Sequence, residues 1–254
     1  MGKTIAVSGE KLQRLMDLIA GADTVELKLT IPETTRASTS AALGVDPLDS
    51  QVRQVFFFDT PDLKLNAAGV VVRARRRQGE DGDTVVKLRP VEPADLPKKL
   101  RRDPSFGVEV DAMPGGFVCS ASFKGVAAND HIREVAREAR PISKLFSKVQ
   151  RAFFADHAPE GLDLDGLSIL GPFPTFRVKF KPEGTRRKFV GGLWLHPDAS
   201  QIVELSTKTT PSDALEVAAQ CRALLESRGV DLSAEQQTKT KTALEFFVAP
   251  PAGG

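Results

Sequence analysis

The chain has 254 residues and is nearly balanced in charge, with 35 Lys and Arg against 33 Asp and Glu for a formal net charge of +2. That length can bury roughly three quarters of the unfolded surface, and the balance excludes a polycation that binds nucleic acid through bulk charge, so any basic site is local. No stretch approaches the roughly 18 apolar residues of a membrane span, and Cys119 and Cys221 have neither metal spacing nor disulfide-scaffold density, so a reducing, cytoplasmic setting is expected.

Ser8 to Ala20 carries Leu12, Leu15, Met16 and Ile19 at helical spacing, a short amphipathic helix within an N-terminal helical extension over residues 1–22. An alternating strand, VELKLTI, follows. Residues 32–50 are rich in Ser, Thr, Ala and Pro and read as a long loop. Val70 to Arg77 and Thr84 to Arg89 are strands joined by a Gly- and Asp-rich turn. After a second connector, VEPADLPKKLRRDPS, come the strand FGVEVDAM and two helical pieces, NDHIREVAREAR and PISKLFSK. VQRAFFA, FRVKFKP, RKFVGGLWLH, QIVELSTK and TKTKTALEFFV favour extended structure. PSDALEVAAQCRALLESRG, between the last two, is an amphipathic helix with a Gly stop. No repeat and no clean linker divides the chain, so a single domain over 1–254 with a flexible tail at 249–254 is expected.

Strand parity collects the charges. Arg73, Arg75 and Arg77 share a face opposite Val70, Val72 and Ala74; Lys87 and Arg89 oppose Val86 and Leu88; Glu26 and Lys28 oppose Val25, Leu27 and Leu29. Glu109 with Asp111, Arg177 with Lys179, Glu204 with Lys208, and Lys239 with Lys241 continue the pattern. An outward solvent face on a half-buried sheet would give such alternation, and so would a closed barrel with a wet, polar lumen. Periodicity says which residues share a face, not which face meets water.

Phe57 to Arg75, FFDTPDLKLNAAGVVVRAR, resembles the signature of the CYTH, or triphosphate tunnel metalloenzyme, superfamily. The order of the remaining charged strands is similar over most of the chain. The resemblance implies a mainly β, α+β fold: an eight-stranded antiparallel β-barrel tunnel with flanking helices and a charged lumen. It further implies a phosphoric anhydride hydrolase acting on inorganic tripolyphosphate or an organic triphosphate, with Mg²⁺ or Mn²⁺ as cofactor. A phosphate-polymer or nucleotide-binding tunnel and an adenylate cyclase are the alternatives. The expected partner is a small-molecule triphosphate or polyphosphate, with neither nucleic acid nor membrane.

The residues follow from the same resemblance. Arg73, Arg75, Lys87, Arg89, Arg151, Arg177, Lys179, Lys239 and Lys241 are expected to bind phosphate, because Arg forks and Lys ammoniums meet its oxygens from several sides. Glu26, Glu109, Asp111 and Glu204 are expected to hold the metal, a hard ion that prefers oxygen ligands. Glu26, Lys28 and Glu204 are expected at the catalytic centre. Two positions depart from the pattern: Thr24 stands where the superfamily has the first Glu of Glu-any-Glu-any-Lys, and Ser206 shares the face of Glu204 where a second acid is usual. Trp194 reads as sheet packing, the three histidines lack metal-ligand spacing, and Asp163 to Gly166 reads as a turn.

Overall fold

The computed structural model describes residues 9–232. Nine strands occur among them: β1 Thr24–Ile31, β2 Gln51–Asp59, β3 Val70–Arg77, β4 Glu80–Leu88, β5 Phe106–Met113, β6 Gly116–Ala127, β7 Ser168–Phe180, β8 Phe189–Leu195 and β9 Gln201–Thr209. They close into a barrel in the order β1-β5-β6-β4-β3-β2-β7-β8-β9, with β9 returning to β1. Every joint is antiparallel except β1–β5, which is parallel and sets Glu26 opposite Asp111 and Thr24 opposite Glu109. The expected count of eight antiparallel strands is thus corrected to nine mixed strands among the described residues. The expected strand TKTKTALEFFV, with Lys239 and Lys241, lies outside them.

The hydrophobic core wraps the outside of the barrel. Val70, Val72 and Ala74 of β3, Val86 of β4 and Phe123 of β6 are buried beneath helices α4 (Asn129–Ala136) and α5 (Lys148–Ala155), against Ile132, Val135, Phe153 and Phe154. Leu18 and Ile19 of α1 (Gly9–Ala20) cover Val25, Val108 and Val110, so the N-terminal helix seats on the wall. Leu43, following α2 (Arg36–Ala42), and Leu225 of α6 (Ala214–Ser227) cover Leu29, Ile31 and Leu205. Each fully buried large apolar side chain contributes about 1.5–3 kcal/mol. The strand parity of the sequence is therefore realised with its apolar half outward and its charged half inward.

Four stretches differ from expectation, each for a local reason. Residues 80–83, expected in the turn after Arg77, already belong to β4, because Glu80 and Asp83 pair with Arg77 and Arg75 of β3. Residues 32–50 hold α2 and two 3₁₀ turns, because Leu43 and Val45 have an apolar surface to dock on. VQRAFFA is helical: Ser147 and Gln150 form a capping box, and Gln150, Phe153 and Phe154 fall on one buried face. Gln150 latches α5 to the wall, donating to the carbonyls of Thr84 and Phe123 (both 3.2 Å) and accepting from the Thr84 hydroxyl (3.1 Å). PISKLFSK supplies only a 3₁₀ turn, Ile142–Leu145, before α5 begins. Two further strands, β2 and β6, occupy stretches that residue alternation does not mark. β6 carries Ser120 and Ser122 where other strands carry charges, and β2 is apolar on both faces from Val55 to Phe58.

The signature residues build the corner between β2 and β3. Asp59, buried at the end of β2, accepts the backbone N–H groups of Thr60 (2.7 Å), Leu65 (2.9 Å) and Asn66 (3.0 Å). Burial pushes its carboxyl up from the usual range, and those three bonds oppose the shift. Leu63 adopts φ 54° ahead of the single turn α3 (Lys64–Ala67), and Gly69 adopts φ 74°. A Cβ at Gly69 would stand 2.6 Å from the carbonyl oxygen of Arg89, so the close approach of β3 to the end of β4 requires glycine. Asp59→Ala is expected to lower unfolding free energy by about 3 kcal/mol or more in urea titration, since buried N–H groups lose their partner. Asp62→Ala, exposed on the same corner, is expected within about 0.5 kcal/mol of the parent.

Candidate functional site

The inward faces of the strands enclose a cavity of about 570 Å³. Glu26, Lys28, Arg73, Arg75, Lys87, Arg89, Glu109, Asp111, Arg177, Lys179 and Glu204 all line it. Arg151 does not: it lies exposed on α5 outside the barrel and donates to the Phe146 carbonyl. That expectation fails because the segment is a helix docked on the outer wall. Residues not singled out from sequence also face the cavity, notably Arg53, Arg77, Asp83, Lys124 and Lys208. Arg77 and Lys208 share the parity of residues that were. Arg53 lies on β2, where apolar residues on both faces hide the alternation.

The lumen has a cationic sector. Arg75 donates Nε and Nη2 to Asp83 Oδ2 (2.9 and 2.6 Å), Arg73 Nη2 lies 3.3 Å from Asp83 Oδ1, and Arg77 Nε lies 3.6 Å from Oδ2. One carboxylate therefore sits against three guanidiniums, with Arg53, Arg177 and Lys179 along the same wall. Burial and the neighbouring Arg75 and Arg177 charges lower the Arg53 pKa to about 9; burial and Arg75 lower Arg73 to about 10 and pull Arg177 down. Guanidiniums stay charged at neutral pH, so this crowding is relieved by an anion.

A carboxylate sector adjoins it. Glu26, Glu109 and Asp111 each offer an oxygen, all within 4.8 Å of one another. Lys28 Nζ lies 2.9 Å from Asp111 Oδ1 and 3.5 Å from Glu26 Oε2. Burial alone would lower the Lys28 pKa, but Asp111, Glu26 and Glu204 carry it well above the usual ammonium range. Lys208 pairs with Glu109 and draws its carboxyl down against the opposing effect of burial. The donor set is all oxygen and fits a hard divalent ion, with Glu26, Glu109 and Asp111 converging and Glu204 close enough to act on Lys28. Thr24 donates its hydroxyl to Glu109 Oε2 at 3.3 Å in place of a further carboxylate.

Part of the lumen wall is apolar. Trp194 stacks on Phe57 (centroids 6.4 Å, planes 23° apart) beside Phe173, in a cluster with Val55 and Val71. Trp194 packs in the sheet as expected, and it also faces the cavity.

No protein-family model matches the chain, and no curated protein matches its sequence. Solved structures do. The Hippeastrum protein HpAC1, named for adenylyl cyclase and described as having a dominant triphosphatase activity, superposes with a TM-score of 0.65 at 17% identity, over 87% of this chain and 95% of its own. A Bacillus halodurans protein named for adenylate cyclase gives 0.58 at 13% identity, over 87% and 98%. The chain has the fold of these proteins, in agreement with the resemblance carried by Phe57 to Arg75. No described helix is long and apolar enough to cross a membrane.

Lys87 provides a pH signature. Burial lowers its pKa to about 8; Asp111 and Glu109 oppose the shift, while Lys28 and Arg73 add to it. The folded value lies below the 10.5 of an unperturbed lysine, so between about pH 8 and 10.5 the unfolded chain holds the extra proton and stability rises with pH. The positive charge that Lys87 lends to the lumen moves the other way, because the ammonium is lost above about pH 8. By urea titration, unfolding free energy relative to Lys87→Arg is expected to rise between about pH 8 and 10.

Proposed function

We propose that the protein is a divalent-ion-dependent triphosphatase that cleaves the terminal phosphate of inorganic tripolyphosphate or an organic triphosphate within the tunnel. The observation that carries this reading is the enclosed surplus of cations beside a convergent set of carboxylates. An extended polyanion of three phosphates suits a lumen whose cations come from β2, β3, β4 and β7, since planar forks and ammoniums approach it from different sides. HpAC1, of the same fold, is described as a triphosphatase, which favours hydrolysis over cyclisation.

In this reading Arg73, Arg75, Lys87, Arg177 and Lys179 grip the phosphate oxygens and neutralise charge that builds on them as the anhydride breaks. Arg89 and Arg53 extend the grip along the wall. Asp83 holds the Arg73, Arg75 and Arg77 forks in place until the anion shares them. Glu26, Glu109, Asp111 and Glu204 would hold Mg²⁺ or Mn²⁺, which when bound polarises a phosphoryl oxygen and acidifies water. Lys28, fixed by Asp111 and Glu26, would present a positive charge beside that point, and Glu26 and Glu204 would orient an attacking water. A cytoplasmic location is part of the same reading, supported by two buried free thiols.

Binding without hydrolysis is the second reading, favoured by Thr24 and Ser206 where acids would strengthen the ion site. Phosphate release from tripolyphosphate, ATP and thiamine triphosphate, with and without Mg²⁺ or Mn²⁺, separates the two, and cyclic AMP formation reports cyclisation. Arg73→Ala is expected to lower kcat/KM by roughly 10²–10³-fold. At 100 times its Kd, tripolyphosphate is expected to stabilise the fold by about 2.7 kcal/mol, raising Tm by roughly 5–10 °C. Persistence of that shift in Arg73→Ala with Arg75→Ala would move the site elsewhere.

A further inference from the structure

Three tunnel lysines act on the carboxylates; Lys87 does so without a close ion pair among the described residues, while Lys28 and Lys208 are paired to them and differ in kind. Lys28 is enclosed, with its side chain 19% exposed, and pairs with Asp111, the most buried of the three convergent acids. Lys208 is 51% exposed; its ammonium contacts Glu109 Oε2 and lies 3.8 Å from Glu26 Oε2. Register puts it there. Lys208 is directly opposite Glu26 in the β1–β9 pairing, and Glu26 is directly opposite Asp111 in the β1–β5 pairing. Glu109 Oε2 also accepts from Thr24, so the oxygen that Lys208 holds has a second donor on it.

We infer that Lys208 is a tethered competitor of the divalent ion. Its ammonium occupies the edge between Glu26 and Glu109 and has to swing away before an ion can bind there. The inference rests on the proposed role of these carboxylates as ion ligands. A half-exposed, four-carbon stem leaves Lys208 free to move where enclosed Lys28 is not. A triphosphate entering the tunnel offers the displaced ammonium new oxygen partners. Ion and triphosphate then favour each other's binding to an equal degree. Thr24 and Ser206 add no negative charge to this end of the lumen, so no further carboxylate offsets the Lys208 ammonium there.

The test is Mn²⁺ binding to the free protein, followed by loss of the aqueous Mn²⁺ paramagnetic resonance signal with no triphosphate present. Lys208→Met is expected to bind Mn²⁺ on the order of tenfold more tightly, a figure discounted for the exposure of the side chain. Lys208→Arg, which keeps the charge, is expected to show no such gain. Glu109→Gln in the Lys208→Met background is expected to abolish it. Lys179→Met, a tunnel cation with no ion pair to these acids among the described residues, controls for bulk charge. An unchanged or weaker affinity in folded Lys208→Met overturns the inference, as does an equal gain in Lys208→Arg or Lys179→Met, or a gain that survives Glu109→Gln. If none of these proteins binds Mn²⁺ while tripolyphosphate still raises Tm, the inference fails and the anion site stands. If Lys208→Met gains Mn²⁺ affinity but no triphosphate is bound or cleaved, the proposed function fails and the role of Lys208 stands.

Discussion

The confinement of like charges inside a closed wall governs the rest of this molecule. Arg53, Arg73, Arg75, Arg77 and Arg177 converge on a lumen where Asp83 pairs with three of them, Arg73, Arg75 and Arg77, and burying unpaired charge costs several kcal/mol per ion after relaxation. Something must offset that cost, and it is the apolar layer outside the barrel: α4 and α5 over β3, β4 and β6, α1 over β1 and β5, α6 over β9. Stability and chemistry are thus assigned to opposite faces of the same strands. A charge array held by such a wall needs little rearrangement when its counter-ion arrives, which is the condition for strong electrostatic stabilisation.

Much of this was legible from residue order. Period-2 alternation set Arg73, Arg75 and Arg77 against Val70, Val72 and Ala74, and Glu26 with Lys28 against Val25 and Leu29, and the barrel keeps each division. What alternation could not supply was the direction of the faces; closure came from the resemblance carried by Phe57 to Arg75. Failures fell where a local rule was overridden or silent. VQRAFFA reads as extended, while the capping box of Ser147 with Gln150 and the latch to Thr84 make it helix, taking Arg151 out of the lumen. Arg53 was hidden by the continuous apolar run beside it, and β6 by its small side chains.

The signature itself has two kinds of content. Asp59, Leu63 and Gly69 shape a corner: one anchors three N–H groups, one takes a left-handed turn, and one lets a backbone carbonyl approach. Arg73 and Arg75 then leave that corner already aimed inward. Corner and charge are separable, since Thr24, Ser206 and Lys208 lie on β1 and β9, away from it. Chemistry in this fold can change along those two strands without any cost to the turn that most clearly marks the sequence.

The indole of Trp194 is the chain's single tryptophan, and it forms part of the tunnel wall against Phe57. Intrinsic emission at long wavelength therefore originates at one point, next to the space a solute would enter. The molecule carries a built-in optical probe of its own interior, with no second fluorophore of that kind to blur the signal.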